Sequence, residues 1–168
     1  ELNAIFTISY DFGLKLNQIK SRHRNPTEPD VFLALFDVLI IHDYNTHTTY
    51  LTGNKNKFDE IEKLLLSVTS RNFPQLSENS TITSNFTQKG YIEAVEKIQE
   101  FIRCGDTYQT NLTQQIRAEL PENLTPEMIF YTLRKSHPAP FASFIQRKND
   151  VVISASPERF FKVEKAEG

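Results

Sequence analysis

The 168-residue sequence has one cysteine, one methionine and no tryptophan. The single thiol, Cys104, has no partner for an internal disulfide, which fits a reducing cytoplasm. The five glycines are too scattered to form a phosphate-cradling loop. The longest apolar run, Val31 to Ile41, is interrupted by Asp37 and is too short to span a bilayer. No secretory leader is visible. The formal charge of -2 gives no general field favouring nucleic acid or an anionic membrane, so neither is an expected partner.

What is present suits a globular domain. The chain is 39% hydrophobic and 24% charged, and its length suffices for a core. The only methionine is Met128 and the sequence stops after a strand-like run. The expectation is a segment of a longer protein.

Ala4 to Asp11 (AIFTISYD) reads as a strand from its β-branched and aromatic residues. Ser21 to Asp30 (SRHRNPTEPD) reads as a loop, with its basic cluster on a solvated face. Phe32 to Ile41 and Thr48 to Leu51 read as two strands joined by the turn HDYNTHT. The turn accounts for His42 and His47 without a metal, because no complete ligand set accompanies them. Asn54 to Val68 has helical spacing at Phe58, Ile61, Leu64, Leu65 and Val68. Ser77 to Gly90 is polar and turn-prone, and it is the best internal boundary: residues 1–84 against 85–168.

A second helix follows, with Thr87 as N-cap, Ile92, Val95, Ile98, Phe101 and Ile102 as its apolar stripe, and Gly105 as its stop. Thr107 to Leu120 alternates as a strand would, with Tyr108, Leu112, Ile116 and Leu120 on one face. Thr125-Pro126 starts a helix running to about Ser136. Phe141 to Gln146 and Val151 to Ala155 are strands around an RKND turn, and Phe160 to Val163 is another strand. The element order predicts an α+β fold, a mainly antiparallel sheet with flanking helices.

Three stretches could carry chemistry. In Gly105 to Gln115 (GDTYQTNLTQQ), one strand face is Gln, Asn and Thr. It is either the solvated side of a sheet, which elementary chemistry favours, or the wall of a polar pocket. Ser136 to Phe144 (SHPAPFASF) holds two prolines that press His137 and Ala139 into extended backbone. It is either a stiff connector or a pocket wall. In Ser156-Pro157-Glu158-Arg159-Phe160, a regular strand would put Glu158 and Glu164 on one face and Arg159 with Phe161 on the other. The carboxylate would then be free, yet a lone strand-end glutamate is more often exposed or paired than catalytic.

YIEAVEKIQEFIRCGDTYQTNLTQQ, HPAPFASF and SPERF, in this order, with ISYDFG (Ile8 to Gly13) before them, resemble the chorismate-utilising enzymes over nearly the whole chain. Within that family, SPERF and PAPF are similar to the aminodeoxychorismate synthase component I branch, and the anthranilate synthase component I branch is the alternative. The resemblance implies replacement of the chorismate 4-hydroxyl by an amino group, on the route to p-aminobenzoate and folate. Ammonia would come from a glutamine amidotransferase partner, in the cytoplasm.

By the same resemblance Glu158 is the general acid/base and Mg2+ binds the substrate carboxylate through ligands expected outside this chain. Hydroxide leaves poorly, so an acid beside it should help, and a partly buried site can keep that acid protonated. The family's lysine nucleophile sits in a PIKGT motif that these residues lack, and Lys162 and Lys165 match no part of it. A lysine there would favour aminodeoxychorismate synthase, an alanine anthranilate synthase. The chain alone is therefore expected to be inactive. Pro140, Phe141 and Ala142 match one wall of a pocket that holds tryptophan in several members. A non-catalytic segment binding tryptophan or a partner subunit is thus a further alternative. Asn79, Asn85, Asn111 and Asn123 head Asn-x-Ser/Thr triplets, which in a cytoplasmic enzyme are chance matches.

Overall fold

The computed structural model describes residues 3–20, 29–69 and 81–164. The chain divides into two compact units, Glu1–Asn72 and Phe73–Gly168. Both combine helices with antiparallel strand pairs, so the α+β expectation holds. Most of the basic loop at 21–30, the start of the polar boundary segment (77–80) and Lys165 lie outside the described residues.

In the first unit, β1 (Asn3–Ile8) pairs antiparallel with β2 (Val31–Phe36), from Asn3 opposite Phe36 to Ile8 opposite Val31. The strand expected to reach Asp11 stops at Ile8. Ser9 instead caps a helix, α1 (Tyr10–Leu16), its hydroxyl accepting from the Phe12 amide at 3.2 Å. A capping oxygen that satisfies an otherwise unpaired N-terminal amide outcompetes the β-propensity of the run. Asp30 fixes the far side: its carbonyl accepts from the Ser9 amide at 2.8 Å and its carboxylate meets Lys15 Nζ at 2.5 Å.

The run read as one strand, Phe32 to Ile41, is two, β2 and β3 (Val38–Asp43), broken at Asp37. The Asp37 carbonyl leaves the ladder to accept from the Asn54 amide at 2.8 Å, and its carboxylate meets Lys57 Nζ at 2.7 Å. That hydrogen bond and charge hold the Asp37 carboxyl below the ordinary carboxylate range.

β3 pairs with β4 (Thr48–Gly53) in the expected hairpin. The Asp43 carboxylate accepts from the Asn45 and Thr46 amides and closes the turn. Within it, His42 Nδ1 lies 2.8 Å from Thr49 Oγ1, and its ring meets Tyr44 edge-on. Gly53 leaves the hairpin at φ +118°, where a Cβ would strike the Asp37 carbonyl oxygen. A short 3-10 turn (Lys55–Lys57) under the Asn54 cap then leads into α2 (Phe58–Ser67).

In the second unit, β5 (Ile82–Ser84) precedes α3 (Gln88–Arg103), whose Thr87 cap accepts from the Gly90 amide at 3.1 Å. At the far end Gly105 takes φ +80°. Its amide reaches the Ile102 carbonyl and the Asp106 amide that of Phe101, the paired bonds of a Schellman stop. The half-buried stripe is Tyr91, Ala94, Val95 and Ile98, shifted from the expected one; Ile92, Phe101 and Ile102 are exposed.

The expected long strand at Thr107 to Leu120 shortens to β6 (Ile116–Ala118), paired with β5. Alternation alone makes no strand: β5 offers only three residues to pair with. Then come α4 (Pro126–Ser136), with Thr125 capping through the Met128 amide, and the hairpin of β7 (Phe141–Gln146) and β8 (Val151–Ser156). Met128, the buried apolar residue among those described, lies on α4, and Phe130 of the same helix meets Phe144 of β7 at 5.5 Å. No helix among the described residues is long and apolar enough to cross a membrane.

The hairpin turn is held by a fork. Arg147 gives Nε and Nη2 to the two Asp150 carboxylate oxygens at 2.5 and 2.6 Å, and its amide donates to the Asp150 carbonyl. The same contact keeps the Asp150 carboxyl below its ordinary range.

Two outcomes follow from these turns. Gly53→Ala should cost more than about 1 kcal/mol of stability, because the new Cβ meets backbone at a positive φ; urea melts of the two proteins measure it. The Asp150 carboxyl should titrate below an ordinary aspartate by NMR, and Arg147→Ala should return it. A depressed pKa stabilises above the unfolded value and is lost as pH falls through the folded one. The Arg147→Ala penalty should therefore be full at neutral pH and fade in acid.

Candidate functional site

HPAPF and SPERF come together at one end of the β7–β8 hairpin. Helix α4 ends as the His137 amide reaches the Leu133 carbonyl. Pro138 and Pro140 cannot continue it. The Ala142 amide donates to the Ala139 carbonyl at 3.2 Å, which closes a turn and aims the chain into β7. Phe141, the first residue of β7, then stands opposite Ser156, the last of β8, with Ala142 opposite Ala155.

Beyond Ser156 the chain curls. The Ser156 hydroxyl donates to the Glu158 carbonyl at 2.9 Å and accepts from the Glu158 amide at 3.4 Å. Pro157, between them, has no amide to satisfy. The Arg159 guanidinium turns back over the Phe141 ring, 5.1 Å from its centroid. Among the described residues no ion pair engages Glu158, whose side chain is exposed.

The expected strand from Phe160 to Val163 does not form. No second strand lies beside it among the described residues; Phe160 and Phe161 pack edge-on against each other and stay exposed. Glu158 and Glu164 therefore share no strand face, and Glu164 pairs with Lys162 instead. Arg159 does leave the carboxylate free, but by lying on Phe141 rather than by facing Phe161.

The structure thus gathers Glu158, Pro140, Phe141 and Ala142 at one hairpin end. It adds Ser156 and Arg159, which residue-by-residue reading missed. For Ser156 the signal was present. With RKND as the turn, counting back along the two strands pairs Phe141 with Ser156.

The polar stretch Gly105 to Gln115 is irregular rather than a strand face. Its end is pinned to β5: the Gln115 amide donates to Asn85 Oδ1 at 2.8 Å, and the Asn85 amide to the Gln115 carbonyl at 3.1 Å. Gln114 Nε2 reaches Ser84 Oγ at 2.8 Å. A polar hollow of about 260 Å³ lies between Thr83, Asn85 and Arg117. A larger cleft of about 690 Å³ sits at the other end of the β7–β8 hairpin, between Pro126, Ile129 and the Arg147 turn. It contains neither motif, and size alone does not make it the site. Among the described residues no three carboxylates, histidines or cysteines gather to hold a metal.

The chain matches the family model described as chorismate binding enzyme over residues 1–167. It is 30% identical to aminodeoxychorismate synthase component 1 of Bacillus subtilis (strain 168), over 92% of this chain and 35% of that protein. To the protein of the same name in Escherichia coli (strain K12) it is 28% identical, over 98% and 36%. Anthranilate synthase component 1 of Lactococcus lactis subsp. lactis (strain IL1403) is 29% identical, over 80% and 32%. The crystal structure of anthranilate synthase component I from Streptococcus pneumoniae TIGR4 shares the fold. Its TM-score is 0.74 at 19% identity, covering 94% of this chain and 39% of that one. The chain thus spans about a third of the length of these relatives. With one family model matching nearly every residue, the chain belongs to the chorismate binding enzymes.

Proposed function

We propose that this chain works within an aminodeoxychorismate synthase component I. That enzyme would replace the chorismate 4-hydroxyl with ammonia supplied by a glutamine amidotransferase partner. The observation that carries the reading is the SPERF glutamate, its backbone held by Ser156 at the hairpin end where PAPF enters, and its carboxylate in no ion pair among the described residues. A carboxyl can assist a departing hydroxide by handing it a proton, and Glu158 is the residue given that role in this reading.

The name carried by the Bacillus subtilis and Escherichia coli relatives supports the aminodeoxychorismate branch. The Lactococcus lactis relative supports anthranilate synthase as the second reading. In this reading magnesium is held by residues outside the chain. A third reading, a segment that binds tryptophan or a partner subunit without catalysis, rests on the Pro140–Ala142 wall. A tryptophan titration followed by calorimetry tests it: saturable heat supports it and a flat trace removes it.

In the full-length protein, Glu158→Gln should lower kcat by about 10²- to 10⁴-fold while the melting temperature stays put. Undiminished turnover would make SPERF structural only. The 168 residues contain no PIKGT lysine motif, so alone they should give no turnover of chorismate with ammonia and magnesium. Measurable product from them would overturn the need for that lysine.

A further inference from the structure

Glu158 stands between two anchored neighbours. On one side the Ser156 hydroxyl binds both its backbone carbonyl and its amide. On the other, Arg159 lies over Phe141, the residue across the ladder from Ser156. Ser156, Arg159 and Phe141 thus close a small ring of contacts around one glutamate. We propose that Arg159 is a positioning residue for Glu158. By stacking on Phe141 it ties the SPERF loop to the start of β7 and fixes where the carboxyl stands. The proposal rests on the acid-base reading of Glu158.

The choice of partner makes physical sense. An ion pair between Arg159 and Glu158 would stabilise the carboxylate and resist its protonation. An aromatic face accepts the guanidinium at the 5.1 Å observed without binding it to the acid. The cation can therefore anchor the loop while Glu158 stays available. Pro157 stiffens the same turn, so one anchor on each side suffices to limit the carboxyl's excursions.

Steady-state kinetics on the full-length enzyme, with chorismate and ammonia, test this. Arg159→Ala should lower kcat on the order of ten- to a hundredfold, because small displacements of a reacting group are costly, and leave the chorismate KM within about twofold. Phe141→Leu should reproduce that loss. The double variant should be no worse than the poorer single one, since both break one contact. Arg159→Lys, still a cation over the ring, should recover part of kcat.

A raised KM with kcat intact would mean that Arg159 binds substrate, and the proposal fails. It fails equally if the two single losses multiply, or if Arg159→Ala turns over like wild type. Should Arg159→Ala not fold, the Arg159→Lys and Phe141→Leu pair gives the same answer. Glu158→Gln separates the two claims. If it is dead while Arg159→Ala is unimpaired, only the positioning role is lost. If it retains full turnover, the acid-base reading itself is lost.

Discussion

The antiparallel pairing of β7 with β8 is the constraint on which the candidate site depends. Its register sets Phe141 across from Ser156. Two motifs separated along the chain then become neighbours in space: the proline-rich HPAPF entering one strand and SPERF leaving the other. A slip of one residue would turn Phe141 to the opposite face and take Arg159 off its ring. The Arg147–Asp150 fork at the turn helps to prevent that slip, and the Arg147 side chain is nearly fully buried. The turn chemistry at one end of the hairpin thus sets the geometry at the other.

The rest of the second unit supports this hairpin through helix α4. Thr125 and Pro126 start the helix, Met128 buries beneath it, and Phe130 reaches Phe144. The first unit is built from similar devices. Ser9, Asp37 and Asp43 each bend the chain with a side chain or carbonyl that captures nearby amides. Most of its charge pairs are exposed, so they fix geometry more than they add stability. Many large apolar side chains also remain open on strand faces, Leu33 and Leu35 among them.

Several elements were legible because a local chemical signal marked both ends. Thr87 and Gly105 bracket α3, Thr125-Pro126 begins α4, and RKND divides β7 from β8. Two of the failures share one cause. Thr107 to Leu120 and Phe160 to Val163 carry strand-like residues, but strands need partners, which local pattern does not reveal. At Tyr10 and Asp11 a capping serine prevailed over β-propensity. For the site, the motifs named Glu158 and the Pro140–Ala142 wall. Only the strand register brought Ser156 and Arg159 to them. The free carboxylate was anticipated on the wrong geometry, a strand face in place of a stacked guanidinium.

The central proposal is that the full-length protein aminates chorismate at its 4-position. The most direct measurement is the identity of the product that the full-length protein makes from chorismate and ¹⁵N-ammonia, read by NMR and mass spectrometry. The account predicts ¹⁵N at the carbon that bore the 4-hydroxyl, with the enolpyruvyl group retained. Nitrogen on the ring carbon next to the carboxyl-bearing one, in an aromatic product formed with release of pyruvate, would contradict it.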